Sequence, residues 1–369
     1  MTLRSGLLAA TAVAASLALP GCGGGGDKSA ASGRTVEVTL TDAGCKPERL
    51  RLAAGPVTFA VENDGAEAVS EFEVLDGDRI LGEVENVAPG LSGRFSLTLK
   101  PGRFTMYCPG GDTERGALVV TGAAAGQTAG AKAAAARYGR YVEAQTALLV
   151  SRTRTFVRAL AAGDIAASKR AYAAARIPYE AIEPVAESFG GLDPAIDARE
   201  GDVPASRWTG FHPIEQALWV RGTAGSARLR TKLMHDVVEL QRRVRTIDLE
   251  PAQIANGSVE LLGEVSKSKI TGEEERYSHL DLVDVEANVD GARAAFDAVS
   301  AMVASADPGL ATRIEARFAG VDRALRPYRR GDSFVSYPTL TEQDTRALSR
   351  SIDALAEPLS RVGAIVAGR

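Results

Sequence analysis

Hydrophobic periodicity changes once along this chain, across the alanine- and glycine-rich stretch at residues 122–136. Before it, at residues 34–121, apolar and polar residues alternate. Thr35-Val36-Glu37-Val38-Thr39-Leu40 and Val57-Thr58-Phe59-Ala60-Val61-Glu62 show the period of two that a half-buried strand requires. Turn signals at Asn63-Asp64-Gly65, Asp76-Gly77, Pro89-Gly90 and Pro101-Gly102 set off further strands expected at 71–75, 80–87, 94–99, 103–107 and 117–120. Short strands at this spacing predict a β-sandwich. From residue 137 to 369 the period is helical. Helices are predicted at 138–162, from Asp164 towards Gly190 with bends at Pro178 and Pro184, and from Pro213 onward. More follow at 227–245, 251–270, 278–306, 308–326 and 341–366, giving an up-and-down bundle. The expected fold class is thus two-domain, a β-sandwich at 34–121 and an all-α bundle at 137–369, with 122–136 as linker. A chain of 369 residues is long enough for both cores.

Upstream of the sandwich, Arg4 precedes an apolar run at 7–19 that is too short to span a bilayer as a mature helix. It ends in Leu19-Pro20-Gly21-Cys22, which resembles a bacterial lipoprotein signal. Residues 1–21 are read as the signal peptide, Cys22 as the lipidation site and 22–33 as a glycine-rich flexible tether. An ordinary secretory signal is the alternative. Either places the mature protein in the periplasm or on the outer face of the cytoplasmic membrane. The net charge of −4 lacks the basic face that a nucleic-acid partner calls for. Setting Cys22 aside leaves Cys45 and Cys108, which in an oxidising compartment either form a disulfide or share a metal site.

The chemistry-bearing residues of the helical part centre on Gly210-Phe211-His212-Pro213-Ile214-Glu215. His212 and Glu215 are spaced i,i+3, so an imidazole and a carboxylate share one helix face and could grip one ion. Upstream, Glu180, Glu183 and Glu187 recur at i, i+3 and i+7 beside apolar Ile182 and Val185. Carboxylates drawn towards a core need a partner, and a cation is one. Glu180 and Glu183 are the favoured co-ligands. Asp281, in Ser278-His279-Leu280-Asp281, is a further candidate, with helix capping as the plainer role for it and for His279. His235 reads as structural.

Two strings in the sandwich, Cys45-Lys46-Pro47-Glu48-Arg49-Leu50 and Gly102-Arg103-Phe104-Thr105-Met106-Tyr107-Cys108, resemble the second-strand and copper-cysteine regions of cupredoxins. The resemblance places Cys108 at the thiolate position. A blue-copper centre also needs two histidines, and residues 34–121 contain none, which excludes that centre. The alternative ligand set is Cys45, Glu71, Met106 and Cys108, able to hold copper or iron. Core packing for Met106 and a solvated strand face for Glu73 are the plainer readings.

The Gly-x-His-x-x-Glu helix, the upstream Tyr179-Glu180-Ala181-Ile182-Glu183-Pro184 segment and the downstream Gly272-Glu273-Glu274-Glu275-Arg276-Tyr277-Ser278-His279 segment resemble imelysin-like domains. A cupredoxin-like domain joined to an imelysin-like one is similar to the EfeO family, the periplasmic component of a bacterial ferrous-iron uptake system. The resemblance implies that His212 and Glu215 ligate iron, with copper or zinc as other ions the sites would take. It also implies hand-over to a membrane iron permease, alongside a haem-peroxidase partner. Two other functions compete. A metallopeptidase could assemble zinc on Glu180, His212 and Glu215, yet the His-Glu-x-x-His zincin pattern is absent. A copper-dependent ferroxidase or electron carrier in the sandwich would need its copper on Cys45 and Cys108. The balance favours a binding component over an enzyme.

Overall fold

In the computed structural model, residues 34–123, 126–267 and 269–368 are described. The signal peptide, Cys22 and the tether lie outside the described residues. Nine strands come first: β1 (Arg34–Thr41), β2 (Gly44–Lys46), β3 (Arg49–Ala53), β4 (Gly55–Asn63), β5 (Phe72–Asp76), β6 (Arg79–Val84), β7 (Ser92–Leu99), β8 (Gly102–Tyr107) and β9 (Arg115–Thr121). They form a four-stranded sheet of order β2-β1-β4-β7 and a five-stranded sheet of order β3-β9-β8-β5-β6. Alternation puts Val36, Val38, Leu40, Val57, Phe59 and Val61 in one core with Phe72, Phe95 and Leu118. The rings of Phe59, Phe72 and Phe95 meet at 5.2–5.9 Å. Short β2 and β3 were not among the expected strands. Both lie within 44–53, the stretch likened above to a cupredoxin strand region, where Pro47 separates two segments each too short to stand out.

Cys45, on β2, and Cys108, just after β8, form a disulfide between the two sheets. The metal-ligand reading of these cysteines is therefore corrected, because a disulfide offers no thiolate. Met106 is buried in the same core and its side chain packs against Gly116, so it too serves packing rather than ligation. The copper-dependent reading of the sandwich loses its ligands with them.

The helices are α1 (Ala129–Ala161), α2 (Ile165–Glu180), α3 (Glu183–Glu187), α4 (Asp193–Asp197), α5 (Phe211–Trp219), α6 (Ala227–Val244), α7 (Pro251–Lys267), α8 (Asp281–Ala306), α9 (Pro308–Leu325), α10 (Glu342–Leu359) and α11 (Val362–Ala367). Helix α1 starts inside the expected linker, capped by Thr128, whose side chain accepts from Ala131 N. It packs on α2, α6 and α8, while α7 packs on α8, α10 and α11. Among the described residues no helix is long and apolar enough to cross a membrane.

Where bends at the prolines were expected, the chain breaks between α2 and α3. Pro178 is carried inside α2, but Pro184 has no N–H to give to the carbonyl of Glu180 four residues back. Asn288 of α8 supplies the missing donor, its Nδ2 reaching Glu180 O at 2.9 Å. Gly291, one turn on, lets α8 approach: a Cβ there would lie 2.4 Å from Ala181 O. The break turns Glu180 and Glu183 inward together. The expected stripe along one continuous helix does not form.

The sandwich packs directly on the bundle. Asn256 of α7 bonds the backbone of Ser96 on edge strand β7, donating to its carbonyl at 2.9 Å, and Ile80 N on edge strand β6 donates to Ser188 O at 3.1 Å. One edge of each sheet, β7 and β6, thus meets the bundle. The described residues of sandwich and bundle belong to one compact unit.

Candidate metal centre

Residue 210 must be glycine. Its φ is +93°, and a Cβ would sit 2.0 Å from Ile196 O. The close approach is held by Thr209 Oγ1 donating to Ala195 O and Trp208 Nε1 donating to Ala198 O, at 2.9 and 2.8 Å. It brings the start of α5 against the end of α4, so His212 faces Asp197. Both are buried, His212 at 2% exposure.

His212 Nδ1 pairs with Glu215 Oε2 at 3.1 Å. The other oxygen, Glu215 Oε1, accepts from the amides of Tyr277 and Ser278 at 2.9 and 2.6 Å, which ties α5 to the loop before α8. That loop carries Glu274 and Glu275. His212 Nε2 has no hydrogen-bond partner among the described residues and lies 3.5 Å from both Asp197 Oδ1 and Glu274 Oε1. Donor atoms around a tetrahedral ion bound at about 2.0–2.2 Å stand roughly 3.3–3.6 Å apart. Asp197, His212 and Glu274 therefore have ligand spacing, and His212, Glu215 and Glu275 make a second such group.

Around these atoms lies an excess of buried carboxylate. Arg176, fully buried on α2, contacts Glu180, Asp197, Glu274, Glu275 and Asp284. Lys269 Nζ donates to Glu180 Oε2 at 2.8 Å and to Glu183, and lies 3.5 Å from Glu264. Carboxylates thus outnumber these cations, and the protons divide unevenly. Burial raises Glu275 to about 8, with the charge of Glu215 adding to it. Burial also pushes Glu183 and Asp284 well up, in each case with the neighbouring Glu180. Burial opposes ionisation of Glu215, but His212 and the two loop amides outweigh it and lower its pKa. Glu274 is likewise held well below the usual range by Lys269, His212 and Arg176 against the cost of burial. For His212 itself burial disfavours the charged ring, yet the carboxylates of Glu215, bonded to Nδ1, and of nearby Glu274 raise it to about 10. A cation entering here meets Glu215 and Glu274 already ionised and displaces protons from the imidazole and from Glu275.

Of the residues expected from sequence, His212 and Glu215 stand together at this centre. Glu180 and Glu183 come within ligand distance of Asp197, although Lys269 and Asn288 hold them. Glu187 groups with Glu183 and Glu264 instead. Asp281 joins none of the clustered groups among the described residues. Its Oδ1 accepts from Glu275 N at 3.0 Å, so it fixes the loop that carries Glu274 and Glu275. His279, at φ +58°, serves the same loop through its backbone. His235 is exposed beside Asp236. Sequence reasoning missed Asp197, Glu274, Glu275 and Arg176 as site residues. Two signals were there to find: the acidic run 273–275 and the i,i+4 pairing of Arg176 with Glu180. Asp197 left none.

In the sandwich, Glu71 stands with Glu73 and Glu83 rather than with the cysteines. Glu73 is buried, not solvated. Burial raises Glu71 to about 8, with the charge of Glu73 adding to it.

The Imelysin family matches residues 134–362, and the Cupredoxin-like domain family matches residues 7–120. Relatives named "Iron uptake system component EfeO" in Escherichia coli strain K12 and Shigella flexneri are each 39% identical over 342 residues, covering 90% of this chain and 91% of theirs. A copper-containing nitrite reductase of Thermus scotoductus overlaps 24% of this chain and 22% of its own at 19% identity and a TM-score of 0.20, too little to bear on fold or function. The His212 centre thus lies in a helical part that matches the Imelysin family, the cysteine-stapled sandwich precedes it, and likeness to the relatives runs across both: this chain belongs to the EfeO family.

Proposed function

We propose that the protein is the extracytoplasmic metal-binding component of an iron-uptake system, which captures ferrous or ferric iron and passes it to a membrane permease. The supporting observation is His212 Nε2, buried and without a partner among the described residues, at 3.5 Å from two carboxylate oxygens in a centre with surplus negative charge. Imidazole with several carboxylates suits a hard-to-borderline cation such as iron, and the relatives are named for iron uptake. In this reading Asp197, His212, Glu215, Glu274 and Glu275 supply the ligands, with Glu180 and Glu183 behind them. The ion is cargo. Both oxygens of Glu215 are engaged, by His212 and by two amides, which leaves it poorly placed as the base of a peptidase. A permease and a haem peroxidase are the partners proposed, with Cys22 as the membrane tether.

Anaerobic titration of the mature protein with ferrous iron tests this. His212→Ala and Glu215→Ala should each lose at least about a hundredfold in affinity, more than loss of a supporting residue costs. Wild-type affinity in both variants would overturn the reading.

A further inference from the structure

Arg176 is the least expected group at the centre. It lies within an alanine-rich helix, and its guanidinium is fully buried. Its Nη2 hydrogen-bonds Glu180, Glu274 Oε1 at 3.2 Å and Asp284 Oδ2 at 3.3 Å, its Nη1 pairs with Asp197 Oδ1, and its Nε lies 3.0 Å from Glu275 Oε1. Two of these acceptors, Asp197 Oδ1 and Glu274 Oε1, are the same atoms that face His212 Nε2 at 3.5 Å. A fixed positive charge and the incoming ion therefore share two oxygens.

We propose that Arg176 is a resident counter-cation that weakens the centre's hold on its metal, so that an ion captured there can leave. The proposal rests on the metal-binding reading above. A carboxylate oxygen has lone pairs enough to accept from the guanidinium and coordinate an ion together, so Arg176 need not move for the metal to enter. The two positive charges nevertheless repel through a medium with little water to screen them. A lysine could relieve the repulsion by shedding its proton, whereas arginine stays charged under all working conditions. In the ion's absence the guanidinium keeps Asp197 and Glu274 from repelling one another and holds their oxygens at ligand spacing. Arg176 thus prepares the centre and limits its affinity at once. Lys269 is the built-in contrast: it holds Glu180, Glu183 and Glu264, the carboxylates farther back.

A purely structural role and a release role differ in sign. If Arg176 only supports the carboxylates, removing it disorders the centre and the metal binds less well. If it opposes the metal, removal slows release. The test uses the mature protein with Zn²⁺ as a redox-inert probe, measuring dissociation into excess chelator by stopped flow and affinity by competition. Arg176→Gln combined with Asp284→Asn removes the guanidinium together with one of the acids it holds. This variant should release Zn²⁺ on the order of tenfold or more slowly, with matching tighter binding. Arg176→Lys replaces the fork by a shorter, single ammonium and should slow release several-fold, which decides the matter alone if the double variant does not fold. Release at or above the wild-type rate from folded Arg176 variants would overturn the proposal and leave the binding reading standing. A wild-type protein that holds no ion would overturn both.

Discussion

Carboxylates gather in both halves of this molecule, Glu71, Glu73 and Glu83 in the sandwich and the Glu215–Glu274 group in the bundle, but their charge is managed differently. In the sandwich group burial raises the pKa values, Glu71 to about 8 with the charge of Glu73 adding to it, and Glu83 well above its ordinary range with Glu260 of α7 and then Glu85 adding most. In the bundle burial is just as complete, yet Glu215 and Glu274 are held low by His212, by Lys269 and Arg176, and by backbone amides of the loop before α8. Proximity of acids alone stores protons. Glu215 and Glu274, each beside His212, stay ionised, whereas Glu275, Asp284 and Glu183 touch Arg176 or Lys269 and still keep protons.

The sharpest way to break this contrast is a metal titration. Replacing Glu71, Glu73 and Glu83 together by Gln should leave the tight Zn²⁺ or Fe²⁺ isotherm unchanged, against the hundredfold or greater loss expected at His212. A comparable loss in the sandwich variant would show that the two groups act as one site.

Next in size is the disulfide. It closes 63 residues of chain, for which loop entropy gives about 4 kcal/mol. Cys45→Ser with Cys108→Ser should lower denaturant stability by about that amount while the metal isotherm stays put. Thiol counting on the unreduced wild type should find neither Cys45 nor Cys108 reactive.

A smaller effect is expected at Asp281. Asp281→Ala leaves Glu275 N without its acceptor, at a cost of about 1–3 kcal/mol, and should weaken metal binding by roughly tenfold through the loop. Unchanged affinity would show that the loop positions its carboxylates without Asp281.

The pH dependence separates the two groups most finely. In the metal-free protein His212 is raised from 6.5 to about 10, so its contribution is complete below about pH 6.5 and is lost as pH rises through 10. Glu275 and Glu71, raised from 4.5 to about 8, keep protons that the unfolded chain has released, so stability also falls between about pH 4.5 and 8. Melting temperature should therefore decline by a few degrees from about pH 5 to 8. Saturating Zn²⁺ should remove the bundle's share of that decline, because binding expels those protons, and the sandwich's share should remain. A decline untouched by metal would break the link between the raised groups and the site.

Much of the architecture was readable in the chain. Period two before residue 122 and helical period after 137 carry the sandwich and the bundle, because each pattern buries one face only in its own conformation. His212 and Glu215 were readable for a local reason, since three residues of helix place them on one face. Glu180 and Glu183 were readable as inward-leaning acids, but not the break that turns them. That break depends on Asn288, more than a hundred residues away, satisfying the carbonyl that Pro184 leaves free.

The sequence by itself thus determined the fold class, the family likeness and the pair at the heart of the centre, each of them set by neighbours in the chain. Tertiary structure decided the rest. It closed Cys45 on Cys108, buried Glu73, assigned Asp281 to the loop, and brought Asp197, Glu274, Glu275 and Arg176 around His212. These outcomes come from segments meeting across long stretches of chain, where burial without water forces every charge to find a partner, and the spacing of residues along one segment carries no record of which partner it finds.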